Sequence, residues 1–252
     1  MSLPPTRTRI RIRTSELSPA PTAAGGEVPG LLRLLHLASP ALPIGGFHFS
    51  QGLEYAVDQG WVRDEPTALE WIDGIAQGSL ATLDLPVLYR LYLAWALDDR
   101  DSLRRWNAFL IACRETAELR HEDRHLGASL LRVLKELELH TDLFRPGIAP
   151  DESGVAHATA FALACARWNV SPLDALRTYA WTWAENQVLA AVKLVPLGQS
   201  AGQRMLHALH TRLDALATRS VGCADSDIGV ASSMQAVASG RHEIQYTRLF
   251  RS

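Results

Sequence analysis

The sequence predicts an all-α protein, a single multi-helix bundle with a flexible N-terminal arm and a C-terminal tail. Three observations carry this. Apolar residues recur at helical spacing from residue 28 to about 221. Capping residues and prolines stand in front of most of those runs. No run of alternating strands and no fixed-period repeat interrupts them. The chain has 252 residues, 47% apolar and 21% charged, which is ordinary for a globule. A chain of that size buries roughly 70–75% of its unfolded surface and needs neither disulfide nor metal to be stable.

The elements follow in order. Residues 1–27 are rich in Pro, Gly, Ser and Thr, a composition that cannot bury a core and reads as a flexible arm. The alternating arginines at 7, 9, 11 and 13 leave a short strand as the other option. The helical domain spans 28–240. Leu31, Leu34, Leu35 and Ala38 give a first helix that Pro40 and Pro43 end. Ser50 stands where an N-cap belongs, with Glu54 in the first turn. Asp64 with Pro66, and again Asp84 with Pro86, read as helix starts. The periodic stretch 101–138 is too long for one ordinary helix, so a break is expected near its charged middle. "FRPGIAPDESG" (144–154) is a loop, and a helix over 153–168 follows. "SPLD" at 171–174 is a start signal with Ser171 as cap, and that helix runs to Pro196 and Gly198. Residues 199–221 form another helix. Beyond Gly222 the pattern weakens, and 241–252 is a tail expected to be mobile until a partner orders it.

Charge and cysteine usage exclude several function classes. A net charge of −2 gives no bulk attraction to nucleic acid or anionic membrane. Cys113, Cys165 and Cys223 are widely spaced with no CxxC, which argues against a disulfide framework or a cysteine zinc site. A reduced, cytoplasmic location fits best. No signal-peptide core and no membrane span of about 18 apolar residues is present. GxxxxGK[ST] and G-x-S-x-G are both missing, so no nucleotide cofactor or serine nucleophile is expected.

Three features invite a chemical reading. "HEDRH" (121–125) spells a zinc-hydrolase motif, in which two histidines share a metal and the glutamate is a base. It lies in the charged run "RETAELRHEDRH" with no third ligand, which favours a solvated helix face instead. On the helix from 172, Thr178, Thr182, Glu185, Asn186 and Lys193 form a polar strip on an otherwise apolar cylinder. That strip either meets water or docks a partner. Lys193 is one of only two lysines. Finally, "ASPALPIGGFHFSQGLE" (38–54) carries more punctuation than a connector needs.

That last stretch, extended as "LLRLLHLASPALPIGGFHFSQGLEYAV", resembles the opening signature of the urease accessory protein UreF family. "VKLVPLGQ" and the terminal "QYTRLFRS" resemble its later blocks, in the family's order. The resemblance implies an all-helical protein that is no enzyme and carries no cofactor. It implies assembly with UreD/UreH, the GTPase UreG and apo-urease, as a homodimer within that complex, to deliver nickel to urease. It also turns the loop into a partner surface. Pro43 pre-sets backbone, Gly45 and Gly46 permit close approach, and Phe47 and Phe49 are apolar anchors unless they fold into the core. Ser50, Gln51, Glu54, Glu185 and Lys193 join them, as do Tyr246, Arg248, Leu249 and Phe250 of the tail. Phe49 departs from the tyrosine common in the family.

Overall fold

The computed structural model describes residues 30–139, 154–229 and 232–252. The expected arm at 1–27 and nearly all of the loop at 144–154 lie outside the described residues. Within them the chain is helical, with no strand. Its helices are α1 (Gly30–Leu37), α2 (Leu53–Asp58), α3 (Glu65–Ile75), α4 (Leu85–Ala96), α5 (Arg100–Ala112), α6 (Ala117–Glu136), α7 (His157–Arg167), α8 (Pro172–Leu194), α9 (Gln199–Val221) and α10 (Ser233–His242). The all-α expectation holds.

Local chemistry explains most boundaries. Asp64 accepts from the Thr67 amide at 3.0 Å while the Thr67 hydroxyl takes the Asp64 amide, a closed capping box for α3. Ser171 accepts from the Asp174 amide at 3.2 Å, with Pro172 at the first helical position of α8. Each such cap is worth about 1 kcal/mol. The expected break falls between α5 and α6, where Thr116 caps α6 through the Leu119 amide at 3.2 Å.

Two expected starts are corrected. Asp84 caps nothing: its backbone is helical, and a π-type stretch, Ala76–Asp84, carries α3 straight into α4. Its carboxylate is engaged by Arg114 instead. Ser50 is not the N-cap of α2 either; Gly52 holds that position in the left-handed conformation at φ 86°.

The core is built around α4 and α7, which pack on each other, with α5, α6, α8 and α9 around them. Ala158 to Cys165 of α7 are all buried. Trp95 of α4 is fully enclosed and donates from its indole to the Thr159 carbonyl at 3.0 Å. Gly127 sets the crossing of α6 with the chain entering α7, because a Cβ there would stand 2.1 Å from the Val155 carbonyl oxygen. Among the described residues no helix is long and apolar enough to cross a membrane.

The tail, expected to be mobile until a partner orders it, packs on the domain in this structure. Ser252 and Phe250 are buried, and the amides of Leu249, Phe250 and Arg251 all find acceptors on the domain.

Candidate functional site

The loop 38–52, the start of α2, one face of α6, the second half of α8 and the tail meet at one end of the bundle. Gly45 opens the turn at φ 82°. Gly46 lies so close to α8 that a Cβ would come within 2.9 Å of the Asn186 amide nitrogen. The close approach read from "GG" therefore serves the chain's own helix. The two aromatics divide. Phe49 is 1% exposed and packs 5.8 Å from the His125 ring, so it is no surface anchor, whereas Phe47 is 50% exposed. Lys193 lies 5.9 Å from the Phe47 ring and 5.7 Å from Phe250, holding loop and tail by cation–π contact.

Beneath this surface the polar residues of the loop are bound inward. Ser50 donates its hydroxyl to the Ser252 main-chain oxygen, and its amide reaches the same atom at 2.7 Å. Gln51, a non-glycine residue at φ 55°, donates to Glu122 at 2.8 Å. Its carbonyl oxygen accepts from Trp183 at 2.9 Å and Gln235 at 3.2 Å. Glu54 accepts the amides of Leu249 and Phe250 at 2.6 and 2.8 Å and meets His242 at 3.2 Å. The other ring nitrogen of His242 lies 2.8 Å from Glu118, which also takes Arg248 at 2.9 Å. Pro43, Tyr246 and Leu249 face solvent, and Glu185 is half-buried with its carboxyl raised by burial.

The "HEDRH" segment is not the solvated face expected of it. His121 and Arg124 face water, but Glu122 and Asp123 are buried. Glu122 is occupied by Gln51 and Ser252, not poised beside the histidines. Asp123 takes Arg114 at 2.8 Å and the His157 amide at 2.7 Å. No cluster of three or more metal-ligating side chains occurs among the described residues.

Asp123 and Asp84 clamp Arg114 from two sides, and this triad borders an internal cleft. Thr182 and Asn186 of α8 line it, so two of the five residues of the polar strip face the interior, not bulk water. Burial drives the charges here. It raises the Asp84 carboxyl against the pull of Arg114, and holds His157 down to about 4 and so neutral. Burial also pushes Glu122 up to about 7, with Gln51 and Arg114 opposing it.

Glu122 makes stability depend on pH. Its ordinary value is 4.5, so between 4.5 and about 7 the folded chain keeps a proton that the unfolded chain has released. The contribution is full below that window and is lost as pH rises through it. Glu122→Gln should flatten the fall in stability between pH 5 and 7.5 in urea unfolding. An unchanged slope would place the titration elsewhere.

Sequence reasoning missed Glu118, Arg114, His242 and Ser252, and gave Glu122 a different role. Their partners lie far along the chain and carry no local signature.

The sequence model of the UreF family matches residues 62–210. The chain is 45% identical over 228 residues to the urease accessory protein UreF of Alkalilimnicola ehrlichii, covering 89% of this chain and 97% of that protein. It is 46% identical to that of Teredinibacter turnerae, covering 88% and 98%, and 46% identical to that of an Azoarcus species, covering 91% and 98%. With the family's pattern running through most of its helices, the chain belongs to the UreF family of urease accessory proteins.

Proposed function

We propose that the chain is a non-enzymatic urease maturation factor. It acts in the cytoplasm, assembling with UreD/UreH, the GTPase UreG and apo-urease, as a homodimer in that complex, so that nickel reaches the urease active site. Family membership supports the pathway. The observation that carries the adaptor reading is the composite surface at one end of the bundle. There Phe47 stands exposed beside Lys193, and Leu249 and Tyr246 of the tail face solvent. Apolar side chains, a tyrosine and arginines on a fixed base are what a protein interface uses. The site residues that face inward (Phe49, Ser50, Gln51, Glu54 and Phe250) hold that surface in shape.

Co-purification of the full chain with UreD/UreH tests this directly, and no complex under conditions where the chain is folded would overturn it. Within that assay, Lys193→Ala should weaken the complex about tenfold, or roughly 1.4 kcal/mol. Its thermal midpoint should stay within a few degrees of the parent. A large drop in melting temperature with assembly intact would make Lys193 a structural residue.

A further inference from the structure

α6 presents an unusual exposed face. His121, Arg124, His125, Arg132 and Lys135 fall within about 100° on the helical wheel, over about 21 Å of helix. Arg251 of the tail joins them, because its amide bonds the His48 carbonyl at 2.8 Å and His48 borders the same groove. The nitrogens of His48 and His125 both lie 3.4 Å from where a Cβ on Gly45 would stand. The groups sense one another: burial first, then the charges of Arg251, His121 and Arg132, hold the His125 imidazole below its usual value.

Among the described residues these cations have no ion pair. Several arginines elsewhere do reach carboxylates, as Arg90 does Asp225, Arg177 Asp214, Arg204 Glu65 and Arg212 Asp73. Among the described residues Arg124, Arg132, Lys135 and Arg251 have no acidic partner. Arg132 is bonded only to the Ser129 hydroxyl at 2.9 Å. In a chain of net charge −2, four unpaired cations on one side are a local concentration of positive charge.

We propose that this face of α6, with Arg251, is a docking surface for an acidic segment of a protein partner. Protein fits better than nucleic acid for two reasons. Glu118 and Glu136 edge the face at both ends, where a phosphate track would have to pass. The exposed side chains of Leu249 and Phe47 adjoin Arg251 and His48, the arginine-with-apolar mixture of protein interfaces. The proposal holds whatever pathway the partner serves, so it stands or falls apart from the assembly with UreD/UreH.

The test uses the full chain and a fluorescent polyglutamate peptide, with a short DNA duplex and phosphatidylglycerol vesicles as competing probes. The peptide should bind, with an affinity that falls steeply as salt rises. Arg124→Glu combined with Arg132→Glu should weaken it at least tenfold without moving the melting temperature, since both side chains are solvent-exposed. Arg177→Glu, a paired arginine elsewhere, should leave binding unchanged. Equal binding by parent and double variant would overturn the proposal, as would no binding at low salt. Tighter binding of duplex or vesicles than of peptide would replace the acidic protein with a nucleic acid or a membrane.

Discussion

Replacing Arg114 by methionine should destabilise the folded chain by on the order of 3–5 kcal/mol, the usual cost of removing one member of a buried ionic group. The guanidinium sits between Asp84 and Asp123, both buried, and among the described residues it is the cation paired with each of them. Methionine fills the volume but leaves two like charges facing each other in a low dielectric. The Asp84 carboxyl, already raised by burial, loses the pull of Arg114 and must rise further, which sets the sign of the pH dependence. The deficit should be largest at pH 7 and above and shrink as pH falls toward 5, as Asp84 takes up a proton. Adding Asp84→Asn to the methionine variant should recover part of the loss, because one buried charge is gone. Urea unfolding at pH 5 and 7.5 for the three proteins measures all of this. A loss under about 1 kcal/mol at pH 7, or a deficit that grows in acid, would show that Arg114 does not neutralise the pair.

That triad also shows where sequence reading stops. Ser171 and Asp64 act on amides within three residues, so their roles are written in consecutive letters and the helices they start were legible. Asp84 has the same local appearance, a carboxylate just before a proline. Its partner is 30 residues away, and the π-type stretch before it removes any helix start for it to cap. "HEDRH" was singled out for the wrong reason. The charged letters around it suggested a wet face, yet two of its acids point inward because α6 turns one side to Arg114 and the other to water. The opening loop was legible as a special region but not in its polarity. Nothing local says that Phe49 is buried and Phe47 exposed. That is decided by α8 and α6, which take up the space on one side of the chain only.

Replacing Glu54 by alanine should release the tail. The Glu54 carboxylate accepts the amides of both Leu249 and Phe250 and meets His242, so one side chain pins three points of the final segment. Hydrogen bonds to a buried charged group are each worth roughly 1.5–3 kcal/mol, and an unmade one leaves an unsatisfied amide. Local opening of 248–252 should therefore become easier by about 2–4 kcal/mol, and the exchange of the Leu249 and Phe250 amides roughly thirty- to nine-hundredfold faster. Glu54→Gln keeps one acceptor oxygen and should fall between the two. Amide exchange in the free, full-length chain reads this out. If those amides exchange as fast in the parent as in the alanine variant, the tail is loose on its own, and the first expectation of a segment that orders only on binding returns. A fixed tail has a different consequence for docking. Tyr246 and Leu249 are offered to a partner without the entropy cost that ordering a free segment carries. Glu54→Ala restores that cost, so it should weaken partner binding without deleting any exposed side chain of the surface. Phe250→Ala, which removes the buried anchor but keeps the Glu54 bonds, separates loss of packing from loss of the pin.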